Sequence, residues 1–460
     1  MMARDLGDER FMLRAIELAK RGRGWVEPGV VVGCVIARGD VVLGEGYYQC
    51  YGGSHAEVHA LEKCAQKNID VTGADIYVTL EPCSHVGKTG PCAQALIDAG
   101  VGRVFVGAID CDERVRGRGI EMLKAEGIAV EVGICGEVCG ALNPGFVKRV
   151  KQGLPWVIGK WAQTVDGYVA TASGHSQWIS NSASRKRVHE LRGTVDAVMV
   201  GVGTAIKDDV RLTSRGVEVR RQALRVVVDP DLRISVKGKL FETGDDGRVS
   251  PGVLLAVRAG AEVGEKAERF KAKGVAFLVL PELSADDNTR TRAGANDITL
   301  SDAYQMSCED GKYAQPLPLD PMSRVEDEIN THADPASSAA DGVSIGTSDG
   351  TSRGNGTDNS EDNGASDGVL DLAFLLRYLA KAHDAVHVLA EGGSGLMGRL
   401  FEQRLVDEVH VYVGGQLLAD DGGMRPVKGG GKARIDAGYG MSLLDVEAIG
   451  GDVLMRYWVK

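Results

Sequence analysis

Three side chains that can bind a metal follow one another early in the chain: His55, Cys83 and Cys92. One histidine nitrogen and two thiolates leave a tetrahedral Zn²⁺ with its fourth position open to water, which is typical of catalytic rather than structural zinc. Glu57 lies two residues after the histidine and can move protons without binding the metal. This combination predicts zinc-dependent deamination, in which metal-activated water attacks an amino-bearing ring carbon.

Structural explanations exist for these residues taken singly. Ser54 and Glu57 have the spacing of a helix capping box, in which the glutamate would serve only to hold a helix N-terminus. A lone histidine or cysteine is usually part of a core. Two Pro-Cys pairs, Pro82-Cys83 and Pro91-Cys92, follow in order downstream, and together they favour the metal site.

Local patterns predict how the two cysteines are positioned. Residues 75–80, Asp-Ile-Tyr-Val-Thr-Leu, are mostly apolar and rich in β-branched side chains, so they predict a buried strand that delivers Cys83 at its carboxyl end. Pro91 is typical of a first helical residue, and Gly100 of a helix stop. Cys92 is then expected in the first turn of that helix, where the helix dipole favours a thiolate.

The spacing of the two cysteines limits which zinc deaminases the chain can resemble. Eight residues, 84–91, separate them, and residues 80–89 read Leu-Glu-Pro-Cys-Ser-His-x-Gly-x-Thr. This segment resembles the deaminase domain of the bifunctional RibD family of riboflavin biosynthesis, and the resemblance runs from about residue 11 to 146. It implies a cytidine-deaminase-like three-layer α/β/α domain over residues 1–150. It also implies zinc binding by His55, Cys83 and Cys92, with Glu57 as the catalytic proton shuttle.

Composition limits the other possibilities. The chain has 460 residues, 43% of them hydrophobic, which is enough for two cores. The formal net charge of −11 argues against a nucleic-acid partner. The N-terminus has no apolar signal region, and no stretch is long enough to cross a bilayer, so we expect a cytoplasmic protein without a membrane partner. Cys135 and Cys139 alone are too few for a second metal site and are interpreted as ordinary thiols.

A change of composition divides the second part of the chain. A buried strand opens it after Pro155, and alternating strands and helices continue to about residue 280. Residues 335–368 contain no aromatic side chain and carry six acidic residues against Arg353 alone. Such a sequence cannot bury enough apolar surface to offset its ordering entropy. We therefore expect residues 281–368 to be a disordered acidic insertion between two segments, 151–280 and 369–460, of one α/β domain.

Glycine-rich turns in this second domain could bind phosphate. Residues 391–395, Glu-Gly-Gly-Ser-Gly, follow a predicted strand and precede a predicted helix over 396–405. Unpaired backbone N–H groups at such a helix start attract a phosphate, although a simple tight turn explains the glycines equally well. Gly201-x-Gly203-Thr204 is a second turn of this kind.

The order of further motifs resembles the reductase domain of the same family, which has a dihydrofolate-reductase-like fold and uses NADPH. These motifs are Lys160-x-Ala162-x-x-x-Asp166-Gly167, Ser176-Gln177-Trp178-Ile179, His189-x-x-Arg192, Asp208-Asp209-x-x-Leu212-Thr213-x-Arg215 and Leu405-Val406-Asp407-Glu408. The resemblance implies NADP contacts by Ala162, Trp178, Thr204, Asp208, Pro230, Gly393, Ser394, Gly395, Leu396, Met397, Gly398 and Arg399. It implies substrate contacts by Ser176, Arg192, Leu212, Arg215 and Glu391. Two arginines suit a ribose phosphate.

The chain departs from the family pattern at three places. Pro28-Gly29-Val30 stands where the family has Pro-Asn-Pro, Asp112 stands where it has a second asparagine, and Val210 stands where it has proline. The first two changes lie near the predicted deaminase substrate, whereas the zinc ligands and Glu57 are unchanged.

We therefore expect a two-step enzyme of riboflavin biosynthesis with Zn²⁺ and NADPH as cofactors. The first step would deaminate 2,5-diamino-6-hydroxy-4-(5-phosphoribosylamino)pyrimidine. The second would reduce the ribosyl group of 5-amino-6-(5-phosphoribosylamino)uracil to ribityl. Its partners would be these small phosphoribosyl pyrimidines and further copies of itself, as a homo-oligomer. The alternatives are a reductase whose deaminase domain is a weak, structural zinc module, and a deaminase of nucleosides or tRNA adenosine.

Overall fold

A computed structural model describes residues 6–113, 115–244, 247, 249–283 and 368–460. In the first half, the strands are β1 (Gly33–Arg38), β2 (Val41–Tyr47), β3 (Asp75–Leu80), β4 (Arg103–Ala108) and β5 (Ala129–Val132). The helices are α1 (Leu6–Lys20), α2 (Ala56–Gln66), α3 (Cys92–Asp98), α4 (Arg118–Ala125), α5 (Gly136–Gly140) and α6 (Pro144–Gln152). The strands form one sheet in the order β2-β1-β3-β4-β5, in which β3, β4 and β5 are parallel.

Helices cover both faces of this sheet. On one face, Phe11 of α1 packs with Tyr77 and Phe105, whose rings are stacked 4.6 Å apart. On the other face, Leu96 of α3 packs with Val78 and neighbouring apolar side chains. Because β3 is covered on both sides, four of its six residues are buried. The predicted three-layer α/β/α arrangement is therefore confirmed.

The second half is built on a larger sheet. Its strands are β6 (Trp156–Gln163), β7 (Ala197–Gly201), β8 (Leu224–Val228), β9 (Val253–Val257), β10 (Ala276–Val279), β11 (His387–Glu391), β12 (Glu408–Val413), β13 (Met441–Ile449) and β14 (Asp452–Val459). Its helices are α7 (Ser182–Thr194), α8 (Val202–Lys207), α9 (Glu265–Lys271), α10 (Leu372–Ala382) and α11 (Ser394–Glu402). The strand order is β10-β9-β8-β7-β11-β6-β12-β14-β13.

The middle of this sheet combines the two segments of the second half. Strand β11 comes from the later segment and pairs in parallel with β7 on one side and β6 on the other. Parallel pairing continues from β10 to β12, so the carboxyl ends of these strands share one edge. Ligands bind outside such an edge in open α/β sheets, and the predicted site residues at the ends of β6, β7, β8 and β11 are therefore brought to one place.

A buried ion pair joins the two halves. Lys148 of α6 is 4% exposed, and its Nζ donates to both carboxylate oxygens of Asp407 at 2.7 and 2.6 Å. Asp407 also accepts a hydrogen bond from the backbone N–H of Val157 at 2.7 Å. Helix α6 runs across residue 150, where we expected the first domain to end.

The chain leaves and re-enters the second half at one point. Glu282 and Leu370 form an antiparallel bridge, and the N–H of Leu283 donates to the carbonyl of Val369 at 2.7 Å. The insertion expected over 281–368 thus has adjacent ends, and its residues 284–367 lie outside the described residues, so its predicted disorder stays a prediction. Among the residues that the structure describes, no helix combines the length and apolar character needed to cross a membrane.

Candidate active sites

His55, Cys83 and Cys92 converge beside the carboxyl end of β3. His55 immediately precedes α2, Cys83 follows β3, and Cys92 is the first residue of α3. Nδ1 of His55 lies 3.3 Å from Sγ of Cys92 and 3.6 Å from Sγ of Cys83. All three ligand atoms lie within 4.8 Å of one another. Bonds of about 2.0–2.3 Å to one tetrahedral ion fit such separations, so this donor set suits Zn²⁺.

The charge of the site also suits a cation. Hydrogen bonds from the Cys92 thiol and from His55 hold the pKa of Cys83 at about 4, despite its burial. The same bond to Cys83, together with burial, raises the pKa of Cys92. The backbone N–H of Cys92 also donates to Sγ of Cys83 at 3.3 Å. The site thus offers a thiolate sulfur, that of Cys83, as a metal ligand.

Glu57 lies in the first turn of α2 next to these ligands and is 3% exposed. Burial raises the pKa of its carboxyl to about 7, which suits a group that accepts and returns a proton near neutral pH. The capping-box alternative is wrong. The hydroxyl of Ser54 donates instead to Glu62 at 2.9 Å, and His55, rather than Ser54, precedes the first helical residue.

An aromatic wall flanks the metal ligands. The ring of Tyr48 packs edge-on against His55 with centroids 5.0 Å apart. Its hydroxyl accepts a hydrogen bond from the N–H of Gly52 at 2.7 Å. Gly29 packs on the same ring, since a Cβ placed there would lie 3.2 Å from a ring carbon. The sequence analysis did not include Tyr48 among the site residues. Its position directly after a predicted strand was the signal that could have identified it.

Glu81 organises the loop that contains the substituted Asp112. This buried carboxylate accepts hydrogen bonds from the N–H groups of Asp110, Gly117 and Gly119 at 3.2, 3.0 and 3.1 Å. The N–H of Asp112 donates to the Asp110 carboxylate at 2.8 Å. The loop is therefore held in place although its sequence departs from the family pattern.

A second polar cluster lies at the carboxyl edge of the large sheet. Arg192 of α7 donates two parallel hydrogen bonds to Glu391, at 2.5 and 2.7 Å, and both side chains are nearly buried. Nη1 of Arg192 also donates to the carbonyl of Thr213 at 3.1 Å. Although burial opposes it, the charge of Arg192 lowers the pKa of Glu391. Most donors of Arg192 are thus engaged within the protein.

Lys160 belongs to this cluster and was absent from the predicted site residues. It is the register partner of Glu391 on the adjacent strand, and its Nζ lies 5.3 Å from the centroid of the Tyr412 ring. Burial lowers the pKa of this lysine, and Glu391 opposes the shift. A lysine within the apolar run 156–161 was the signal that could have identified it.

Arg215 is the more available of the two predicted phosphate ligands. Its side chain is exposed, and Nη1 donates to the hydroxyl of Thr213 at 3.1 Å. Leu212 is 3% exposed with a φ of 57°, which turns the chain toward Arg215. Ser176 lies in an irregular, partly exposed segment. The substrate contacts of all three stay predictions.

Several predicted cofactor residues meet at the ends of β7 and β11. Gly393 has a φ of 77°, and a Cβ there would lie 2.8 Å from Oγ1 of Thr204 in α8, so the turn requires glycine. Ser394 and Gly395 then begin α11. Pro230 follows the neighbouring β8, and Ala162 lies near the end of β6.

The remaining predicted cofactor residues have structural surroundings. Leu396 and Met397 are buried in the core, and Gly398 packs against the backbone of Lys428. Arg399 is exposed and pairs with Glu402. Trp178 is 68% exposed, and the guanidinium of Arg185 lies over its ring. Asp208 is partly buried, which raises the pKa of its carboxyl. Because the first N–H groups of a helix have no partner within the helix, the first turn of α11 is the part of this stretch that suits a phosphate. Any contact of these residues with NADP stays a prediction.

Two family models match the chain. Residues 6–108 match the cytidine and deoxycytidylate deaminase zinc-binding region, and residues 155–276 and 349–455 match the RibD C-terminal domain. The chain is 31% identical over 452 residues to the riboflavin biosynthesis protein RibD of Actinobacillus pleuropneumoniae, covering 98% of this chain and 95% of that protein. It is 40% identical over 273 residues to RibD of Aquifex aeolicus, covering 59% and 74%.

Solved structures agree over the whole length. Acinetobacter baumannii RibD superposes with a TM-score of 0.69 at 28% identity, with 99% of each chain covered. A Thermotoga maritima diaminohydroxyphosphoribosylaminopyrimidine deaminase/5-amino-6-(5-phosphoribosylamino)uracil reductase superposes with a TM-score of 0.68 at 26% identity, again over 99% of each chain. The predicted fold classes of both halves are confirmed.

Proposed function

The chain belongs to the RibD family of bifunctional riboflavin biosynthesis enzymes, and on that premise we propose which of its residues carry the deaminase and the reductase reaction. The first half deaminates 2,5-diamino-6-hydroxy-4-(5-phosphoribosylamino)pyrimidine, and the second reduces the ribosyl group of 5-amino-6-(5-phosphoribosylamino)uracil to ribityl. The convergence of His55, Cys83 and Cys92 beside the buried Glu57 is the observation that carries the assignment. We assign the deaminase to residues 1–150 and the reductase to residues 151–280 with 369–460, as the sequence predicts.

In the deaminase site, His55, Cys83 and Cys92 hold Zn²⁺, which supplies an activated water when bound. The Glu57 carboxyl accepts a proton and returns it to the departing amino group, because its pKa near 7 makes both forms available. Tyr48 packs against His55 and fixes the ring that binds the metal. Glu57 and Tyr48 are buried, which limits the access of bulk water to the proton transfer.

In the reductase site, NADPH supplies the hydride, and the protein aligns it with the sugar. The first turn of α11 and Thr204 hold the cofactor phosphates at the carboxyl edge of the sheet. Arg192 fixes Glu391 through two hydrogen bonds, and Glu391 can then accept a hydrogen bond from the substrate. Arg215 contacts the substrate phosphate, because its guanidinium is exposed.

Incubation of the purified protein with the diaminopyrimidine and NADPH tests the proposal. We expect release of ammonia followed by oxidation of NADPH, each measured separately. A separate assay supplies 5-amino-6-(5-phosphoribosylamino)uracil directly with NADPH, and the absence of activity in both assays would refute the assignment. Reduction of this uracil without deamination of the diaminopyrimidine would instead support a structural zinc domain, the alternative that Gly29 and Asp112 suggest. The reductase half and the RibD match argue against a nucleoside or tRNA deaminase.

Substitution of Arg215 by alanine should raise the KM for the reductase substrate by roughly tenfold, because a charge-assisted hydrogen bond of about 1.5–3 kcal/mol is lost. The KM for NADPH should change little. Arg211→Ala is the matched control, since Arg211 pairs with Glu242 on the surface. Initial rates of NADPH oxidation at varied substrate and cofactor measure both constants. A larger KM for NADPH with an unchanged substrate KM would show that Arg215 binds the cofactor.

We also propose that the chain forms a homo-oligomer through the edge of the large sheet. Strand β13 ends that sheet, and Leu443 and Val446 on it are 52% and 54% exposed. Ile435 just before it is fully exposed. Unpaired edges with apolar side chains are covered in stable proteins, here by a second copy. Light scattering should give a mass above that of one chain, and L443D should reduce it to the monomer mass.

The cellular setting follows from the thiols and the charge. None of the eight described cysteines forms a disulfide, which fits a reduced cytoplasm. The net charge of −11 fits a protein that does not bind nucleic acid. Cell fractionation and a filter-binding assay with RNA test the two statements.

A further inference from the structure

A short segment of the deaminase half, residues 23–29, packs against the reductase half. The carbonyl of Glu27 accepts a hydrogen bond from Nη2 of Arg220 at 2.7 Å. Gly24 lies against the end of α7, where a Cβ on it would be 3.2 Å from the carbonyl of Gly193 and from Thr194. The position of this segment is therefore determined partly by the other half of the chain.

The same segment forms part of the wall beside the metal ligands. The N–H of Gly29 donates to the carbonyl of Val26 at 2.8 Å, which closes the segment into a turn. Gly29 rests on the ring of Tyr48, and that ring packs on His55. A displacement of residues 27–29 would thus move the support of the Tyr48 ring.

Arg220 lies in the loop 214–222, whose two ends are joined by hydrogen bonds. The N–H of Ser214 donates to Oε1 of Gln222 at 2.8 Å, and Nε2 of Gln222 donates to the carbonyl of Ser214 at 3.0 Å. The hydroxyl of Ser214 also donates to the carbonyl of His189 in α7 at 2.8 Å. These hydrogen bonds fix the ends of the loop to the reductase half. The same loop contains Arg215 and, on the side that faces the deaminase half, Arg220.

We propose that Arg220 is a positioning residue for deamination, supplied by the reductase half to hold residues 27–29 against Tyr48. This inference rests on the proposed deaminase site. Without the guanidinium, the Glu27 carbonyl loses its donor from the opposite half, and the wall beside His55 loses its outer support. The effect falls on substrate binding, because Arg220 touches neither the metal ligands nor Glu57. No such bond can form in an isolated deaminase domain.

The test compares Arg220→Ala with Arg220→Lys and with Arg221→Ala in the full-length zinc-loaded protein. Arg221 is a matched control, because it is adjacent in sequence but pairs with Asp196 inside the reductase half. We expect R220A to raise the deaminase KM for the diaminopyrimidine by about tenfold, with kcat changed less than twofold. R220K should recover most of the affinity, since its ammonium can donate to the same carbonyl. Zinc content and NADPH-dependent reduction should equal those of the parent.

Two results would overturn the proposal. One is an unchanged deaminase KM in R220A. The other is loss of zinc or of reduction in both R220A and R220K, because the arginine would then be required for folding rather than for positioning. Deamination by the parent protein is measured first, so failure of the proposed deaminase function is recognised before any variant is compared.

Discussion

Replacing Glu57 with glutamine should lower the deaminase kcat by about 10²–10⁴-fold, the usual contribution of a general acid–base group. Glutamine has nearly the same shape as glutamate, but it cannot accept and return a proton. The three metal ligands remain, so zinc content should stay at that of the parent. Release of ammonia and metal analysis by mass spectrometry measure the two quantities.

Glu62 offers the matched control for this substitution. It lies on the same helix, is exposed, and accepts a hydrogen bond from Ser54. Glu62→Gln should retain the parent rate, and NADPH oxidation should be normal in both variants. A Glu57→Gln protein that releases ammonia at the parent rate would show that Glu57 has only a structural role.

Substitution of Cys83 by alanine should remove zinc and reduce deamination to background. Two protein ligands remain, and Cys83 is the one whose pKa of about 4 makes it a thiolate at neutral pH. Structural zinc sites bind with about 10–16 kcal/mol of apparent free energy at neutral pH, much of which depends on a complete ligand set. Reduction of the uracil substrate with NADPH should continue, because that site lies in the other half.

Cys50→Ala controls for the loss of a thiol as such, since Cys50 is exposed and outside the metal-binding group. Zinc per chain should remain at the parent value in this control. If Cys83→Ala retained one zinc per chain, another residue would have to complete the ligand set, and the assignment of Cys83 would be wrong.

The metal site could be predicted because its information is local. An apolar run placed Cys83 after a strand, and Pro91 placed Cys92 at the start of a helix; both are as predicted. Here Pro91 is the residue just before the helix rather than its first member. Such one-residue differences leave the position of the Cys92 side chain unchanged.

The reductase site was harder to predict because its contacts are distant in sequence. Arg192 and Glu391 are 199 residues apart, and nothing in either segment indicates that their charges neutralise one another. The sequence therefore predicts phosphate binding equally for Arg192 and Arg215, although Arg192 is nearly buried and paired with Glu391 and Arg215 is exposed. A lysine inside an apolar strand marks Lys160 as unusual, but its pairing with Glu391 is known only from the register of the two strands.

The family resemblance implies a continuous stretch of cofactor contacts over residues 393–399, although the sequence also predicts a helix from residue 396. Helix α11 directs Leu396 and Met397 into the core and leaves its first turn at the sheet edge. Once a stretch is known to be helical, its side chains alternate between core and surface with a period of 3.6 residues, and only part of it can face a ligand.

Because β11 lies at the centre of the large sheet, that sheet can form only late in synthesis. The deaminase sheet is complete once β5 has been made, but β6 and β7 cannot be joined until His387–Glu391 leaves the ribosome. At about 5–20 residues per second, β6 waits roughly ten to forty-five seconds for its neighbour. During that interval, two strand edges at the centre of the future sheet are unpaired and open to wrong partners. The long segment between Leu283 and Gly368 prolongs this exposure, because it must be synthesised before β11.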